Sequence, residues 1–412
     1  MDALIADAGE RQALVTARQL GGAGVAIGVI GSDADAPAFA SRWCRARIVV
    51  PAFETQPEAY VNAVLDASAR FGAGVLIPVH DGSIEALTLR RTRVEEVVTL
   101  ALGSNAAVAA ATDKSRTLAA AEEIGIRTPR GVSVRNSSDA AAAIGEVGLP
   151  AVVKPMHSWV QRTGPGQRVR AVVVDDRVAA LSAIDRMLAT GTTVALQEWL
   201  PGDREAVALM YAHGRFWARF ACRAERTKPP LGGSFVVRES IPLPSDVTMD
   251  AERLVDRLGL EGCSFIEFRR DAKGQSALME INPRLPSSLE LAVRAGVPLP
   301  LLLYEWARGG PLRAIDGYRT GIRMRWLGGD LSWLRAALAH PSHPDVPSRA
   351  GALSAFLSEF SRRCAYDYVD WHDPRPALSA SAGAAKRAIA LVGRTIQGSA
   401  AARARHSSPG GR

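Results

Sequence analysis

Two glutamates, an asparagine and an arginine fall within one short stretch, Phe265-Ile266-Glu267-Phe268 followed by Met279-Glu280-Ile281-Asn282-Pro283-Arg284. Each half alternates apolar and polar residues, the period of a strand with one covered face. Between them Asp271–Gly274 has turn chemistry, and Lys273-Gly274 suits a two-residue hairpin loop. Counting outward from that loop sets Glu267 opposite Glu280, with Asn282 two residues on along the same face and Arg284 one step further. Carboxylates facing each other across a strand pair repel. A divalent cation resolves the conflict. Two carboxylates and an amide oxygen form a hard-oxygen set suited to Mg2+ (or Mn2+), which keeps its other positions for water and phosphate oxygens. The planar fork of Arg284 suits a phosphate or an acyl phosphate. The plainer reading is a set of solvated charges on an exposed hairpin. It explains Glu-Ile-Asn-Pro-Arg poorly, because Pro283 stops the strand where Asn282 and Arg284 must project.

Other residues suit the chemistry of a phosphorylated ligand. Lys154 closes the apolar strand Ala151-Val152-Val153 just before a proline, and an ammonium group is a natural point-charge partner for phosphate oxygens. A basic loop follows at Ser158–Arg170, where Gly164 and Gly166 permit unusual backbone angles. Arg223, Arg226, Lys228 and Arg238 surround a Pro-Pro/Gly-Gly segment, and of these Lys228 and Arg238 are expected to bind a carboxylate or its acyl phosphate. A solvated charged face competes evenly with that reading. His80 and Asp81 end an apolar strand, where open α/β sheets place their ligands, although His80 serves equally well as a cap. No Gly-x-Ser-x-Gly and no cysteine–histidine pair suggests a covalent nucleophile.

Residues 1–107 alternate short apolar strands with helical patterns, which argues a parallel sheet with helices on both faces. The glycines from Gly21 to Gly24 follow the first helix rather than the first strand, so a dinucleotide fingerprint is lacking. Residues 108–310 read as two α+β lobes, about 108–192 and 193–310. Residues 311–376 turn mostly helical, and 377–412 form a basic, low-complexity tail expected to be partly disordered.

With 47% hydrophobic and 22% charged residues among 412, the chain has enough apolar material for a sizeable core. The net charge of +8 is spread along the sequence without interleaved aromatics, which argues against nucleic acid. No apolar run reaches the roughly 18 residues of a membrane span. The first residues carry acids where a secretory leader carries basic groups, and the four cysteines (Cys44, Cys222, Cys263, Cys364) have no metal or disulfide spacing. A cytoplasmic location is expected, and a homodimer is expected on frequency alone.

The hairpin ending in Met-Glu-Ile-Asn-Pro-Arg resembles the metal-binding strands of the ATP-grasp superfamily, and more narrowly those of its carboxylate–amine ligases. These are similar to the nucleotide domains of carbamoyl-phosphate synthase and biotin carboxylase. The resemblance runs from about residue 3 to 310. It implies a Rossmann-like domain preceding a two-lobed ATP-grasp domain and a helical C-terminal part. It also implies Mg2+ between the β- and γ-phosphates of ATP, held by Glu267, Glu280 and Asn282, with Arg284 beside the reacting phosphate. It matches Lys114 and Lys154 to phosphate-contacting lysines and Gly164 and Gly166 to a mobile loop over the phosphates. Gln-Glu-Trp-Leu-Pro-Gly resembles the connector beneath adenine, with Glu198 and Leu200 offering backbone groups, Trp199 or Leu200 packing on the ring and Glu205 accepting the ribose hydroxyls. The implied reaction activates a small-molecule carboxylate as an acyl phosphate and couples it to an amine, releasing ADP and phosphate. An enzyme acting on bicarbonate, or an ATP-binding regulator without turnover, remains open.

Overall fold

The computed structural model describes residues 1–157, 159–160, 166–271, 273–339 and 346–383. Gly164 and the tail from 384 onward lie outside the described residues.

The first sheet is parallel, in the order β3 (Cys44–Val49), β2 (Ile27–Gly31), β1 (Ala3–Ile5), β4 (Val75–Ile77), β5 (Thr99–Leu100). Its central strands are buried on both faces. That is why they read as unbroken apolar runs rather than alternations. Helix α1 (Arg11–Gly22) follows β1 and starts at the carboxyl edge of the sheet.

A second, four-stranded sheet has the order β10 (Val172–Val174), β7 (Ala151–Pro155), β11 (Val194–Glu198), β6 (Gly131–Val134) and keeps a core of its own. Between β7 and β10 stands a small hairpin, β8 (Trp159–Val160) with β9 (Gln167–Arg168). The third sheet has seven strands. Its order is β16 (Ser276–Asn282), β15 (Gly262–Arg270), β12 (Asp203–Ala212), β13 (Arg215–Lys228), β14 (Ser234–Ile241), β17 (Arg323–Arg325), β18 (Ala365–Tyr366). Both faces of this sheet are covered. Val207, Leu209, Ile266 and Phe268 join an apolar cluster with Leu4 and Leu76 of the first sheet, while Ala206, Ala208 and Phe265 join another with Leu14 and Leu20 of α1. The core therefore runs continuously from the first sheet into the third. Among the described residues no helix is long and apolar enough to cross a membrane.

The stretch 311–376, expected to be mostly helical, also supplies β17 and β18. Strands of three and two residues are too short for their period to show in the sequence. Just after β18, Asp367 accepts from both terminal nitrogens of Arg238 at 3.1 and 2.6 Å and from Arg11 at 2.7 Å. Arg238 is 0% exposed. It therefore serves as a structural tie to the C-terminal segment, and the expected role in holding a substrate carboxylate is corrected. Arg226 is likewise committed, paired with Asp330 and Glu359. Further on, Asp373 takes Arg18, the Ser41 hydroxyl and the Arg42 N–H. Through these acids the C-terminal segment clamps α1 to the third sheet.

Removing one partner of a buried ion pair strands the other charge. Asp367→Asn is expected to destabilise the chain by about 3–5 kcal/mol in urea unfolding; a loss below about 1 kcal/mol would contradict the clamp.

Candidate active site

The acid pair forms as expected, although by a different route. The loop between β15 and β16 is longer than two residues: Arg270 pairs with Ser276, and the Asp271 N–H donates to the Gln275 carbonyl at 2.9 Å. Inside the loop, Asp271 Oδ1 accepts the N–H groups of Lys273 and Gln275, and Gly274 takes a left-handed φ of 78°. That shifts the register by one from the expected count. A bulge between Glu267 and Phe268, facing Leu278 and Glu280, shifts it back. Glu267 ends directly opposite Glu280, and Phe265 opposite Asn282.

Strand parity then decides what faces the acids. Ala206 of β12 pairs with Glu267, so Arg204, two residues earlier, shares the acids' face. Its guanidinium donates to Glu267 and, at 2.7 Å, to the Gly233 carbonyl. Glu205 points to the opposite side, where Arg270 holds it at 2.9 and 3.1 Å together with Asp246. The expected ribose contact of Glu205 is therefore corrected: the pleat turns it away, and Arg204 lines the cavity instead. The sequence held that signal in the even spacing of Arg204, Ala206 and Ala208. Arg223 shares the parity of Glu205, with which it pairs across β12 and β13, and also faces away.

A cavity of about 1090 Å³ opens over this face, within the range of small-molecule sites. It is lined by Lys114, Lys154, Glu198, Trp199, Leu200, Lys228, Glu267, Glu280, Asn282 and Arg284, drawn from the second and third sheets and from the start of one helix. Lys114 opens the helix Lys114–Glu123, whose cap Asp113 accepts from the Ser115 and Arg116 N–H groups. Lys154 rises from β7 opposite Ala195. Burial, with Lys114 beside it, lowers the Lys154 ammonium to about 7 against the pull of Glu280. Burial also disfavours charge on Glu280, yet Lys114, Arg204, Lys154 and Arg168 together hold its pKa below the ordinary value. Glu267 moves the other way, raised by burial and by the Glu280 charge despite Arg204. The two acids are thus inequivalent. Asn282 bridges Glu280 (3.4 Å) and Arg284 (3.3 Å).

At the connector Glu198 is tied to Arg130. Its carboxylate is engaged, accepting from Arg130 N and Nε at 3.0 and 2.9 Å. Arg269, which the sequence reading passed over, stacks 4.1 Å over the Trp199 ring and donates to the Leu200 carbonyl at 2.7 Å. Gly202 is required here: a Cβ would lie 1.9 Å from the Arg270 carbonyl oxygen, at a φ of 127°.

The first sheet supplies the opposite wall. Asp7, held at a positive φ of 67°, accepts the N–H groups of Val79 and His80 and the Ser83 hydroxyl. That fixes the turn from β4 into the helix Asp81–Thr88, with the His80 ring capping the Gly82 N–H at 3.0 Å. Asp81 accepts from Arg284 and, at 2.5 Å, from Arg168 of β9. The hairpin is anchored at two further points. Gly166 N–H donates to the Glu54 carbonyl at 2.5 Å, and Trp159 packs edge-on to Phe53 and His80, over Gly82. Gly166 thus sits at the base of the hairpin, docked to the loop that follows β3.

Burial disfavours charge on Asp81, but Arg284 and Arg168 override it and hold the carboxyl well below its ordinary value of 3.8. The stability this provides is fully present above that value and lost as pH falls. Asp81→Asn is expected to cost about 3 kcal/mol near neutrality, and its gap to wild type in thermal unfolding should narrow below about pH 4. A gap that stays constant or widens with acid would count against this pairing.

Residues 192–329 match the family described as "ATP-grasp in the biosynthetic pathway with Ter operon". The D-alanine–D-alanine ligase of Pseudomonas entomophila is 24% identical over 185 residues, 43% of this chain and 55% of that protein. The chain thus spans about half the length of such relatives. The formate-dependent phosphoribosylglycinamide formyltransferase of Anaeromyxobacter dehalogenans is 27% identical over 339 residues, 76% of this chain and 80% of that one. Biotin carboxylase from Campylobacter jejuni, solved as a β-γ-ATP complex, superposes with a TM-score of 0.64 at 17% identity, covering 78% of this chain and 74% of that one. Residues 192–329 thus match an ATP-grasp family, and the fold of the chain is similar to that of biotin carboxylase.

Proposed function

We propose that the chain is an ATP-dependent carboxylate–amine ligase. The observation that carries this reading is the directly opposed pair of buried Glu267 and half-buried Glu280, set on one cavity wall with Lys114, Lys154, Arg204 and Arg284 around it. Such a cluster of cations and paired acids suits a polyphosphate with its metal. Among the described residues no three His, Cys, Asp or Glu converge on one point. Two carboxylates and the Asn282 amide therefore do not form a closed cage. Glu267, Glu280 and Asn282 would hold Mg2+ through hard oxygen donors while leaving it open to phosphate oxygens and water. Bound there, the ion would draw charge from the β- and γ-phosphates.

In this reading Trp199 and Leu200 meet the adenine, Glu198 orients the connector through Arg130, and Lys114 and Lys154 neutralise phosphate oxygens. The protein contributes position and charge rather than a covalent nucleophile. The substrate carboxylate attacks the γ-phosphorus, the bond to ADP breaks, and Arg284 braces the acyl phosphate. An amine nitrogen then attacks the carbonyl carbon; phosphate leaves with its bonding electrons, and the nitrogen's proton passes to solvent. A D-alanine–D-alanine ligase and a formyltransferase among the relatives support chemistry on carboxylates. A reducing compartment suits the four unpaired cysteines.

The test is ADP release from Mg-ATP with pools of acids and amines, and hydroxamate formation when hydroxylamine replaces the amine. ADP release should require one acid–amine combination and fall roughly a hundredfold in Glu280→Gln. Full activity in that variant, or nucleotide binding without turnover under every pool, would overturn the proposal.

A further inference from the structure

Two helices of the C-terminal region carry large apolar residues open to solvent. In the helix Leu327–Ala339, residues Leu327, Leu331 and Leu338 recur at intervals of four and seven, which sets them on one stripe. In the helix Arg349–Ser358 and the turn after it, Leu353, Leu357 and Phe360 recur at intervals of four and three and make a second stripe. All six are between 36% and 56% exposed. The helices pack through other residues: Trp333 and Ala337 of the first meet Ala352 and Phe356 of the second, and Trp333 lies against Arg226 of β13. A single exposed leucine is ordinary. Six large apolar residues on two packed helices mark an interaction surface.

Charge defines the rest of this face. Arg335 follows Leu331 by four residues, Arg349 precedes Leu353 by four, and Arg362 and Arg363 come just after Phe360; all four are exposed. Arg362 also lies 3.8 Å from Glu225, which Arg323 already holds. Among the described residues from 327 to 363 the acids are Asp330 and Glu359, both buried and both engaged by arginines of the third sheet. The exposed face is therefore apolar with a cationic rim. Away from its stripe, the Leu327 helix reaches the cavity, which Ala336 helps to line. A partner seated on the stripes stands one helix away from the site.

We propose that this face docks an acidic protein partner, which lays a helix with an apolar stripe against the leucines and sets its flanking Asp and Glu against the arginines. A second copy of this chain is a poor match, because a self-complementary contact would bring the same arginines together. An anionic membrane is a poorer match than a protein. Each helix is committed on its other side to the Trp333–Phe356 core and offers a stripe rather than a face that can sink into lipid. The rim is arginine, whose planar fork suits carboxylates. The inference does not depend on the ligase reading.

The full chain is titrated by fluorescence anisotropy with two labelled synthetic helical peptides. Both carry a leucine stripe; beside it one has glutamates and the other lysines. The glutamate peptide should bind at least about tenfold more tightly, and rising salt should narrow that gap. Leu331→Ser and Leu357→Ser should each weaken its binding about tenfold. Arg335→Glu combined with Arg349→Glu should reverse the preference between the peptides. These positions are all exposed, and an unchanged urea midpoint checks that each variant keeps its fold. Equal binding of both peptides, or binding of neither, would overturn the proposal. So would a dimer in sedimentation velocity that Leu331→Ser dissolves, or attachment to phosphatidylglycerol vesicles that persists in excess glutamate peptide.

Discussion

Two acids set directly opposite each other across a strand pair organise this molecule. Glu267 and Glu280 meet head-on in a buried strand pair, an arrangement that a hairpin avoids unless positive charge surrounds it. The chain brings that charge from every side: Arg204 from the neighbouring strand, Lys154 from the small lobe, Lys114 from a helix start, and Arg168 from the hairpin docked on the first sheet. Lys114 and Lys154, both buried, would be costly to bury alone. Together with the acids they balance, and the balance holds three sheets around one cavity.

The inequivalence of the two acids follows from the same geometry. Glu280 faces most of the cations and stays ionised, whereas Glu267, raised by burial and by its partner, is bonded to Arg204. A cation arriving with a nucleotide would relieve the second acid more than the first. On the far side of the cavity Asp81 does for Arg284 and Arg168 what the cations do for the glutamates, and so ties the first sheet to the reacting end. The clamp of Asp367 on Arg11 and Arg238 keeps the opposite wall in place. Neither contact belongs to a single sheet.

Much of this architecture was legible in the sequence, and the failures have physical causes. Parallel strands buried on both faces announced the first sheet as apolar runs between helices. The acid pairing was reached with the loop misjudged by one residue, and a bulge at Glu267 cancelled that difference; register cannot be read past a bulge from alternation alone. Glu205 fell on the wrong side because its neighbour in sequence, Arg204, holds the parity that matters. Arg226 and Arg238 looked like free cations because their partners, Asp330 and Asp367, lie more than 100 residues away. Long-range ion pairs leave no local pattern. Lys228 lines the cavity, where Trp326, from the stretch read as mostly helical, gives it a neighbour.

The central claim is that the opposed glutamates form a nucleotide-dependent metal site on one face of the third sheet. Electron paramagnetic resonance of Mn2+, titrated with a nonhydrolysable ATP analogue, tests it most directly. Wild type should bind Mn2+ only with the nucleotide present, Glu280→Gln should lose that binding, and Glu205→Gln, on the reverse face, should keep it. Undiminished Mn2+ binding in Glu280→Gln, or its loss in Glu205→Gln, would contradict the account.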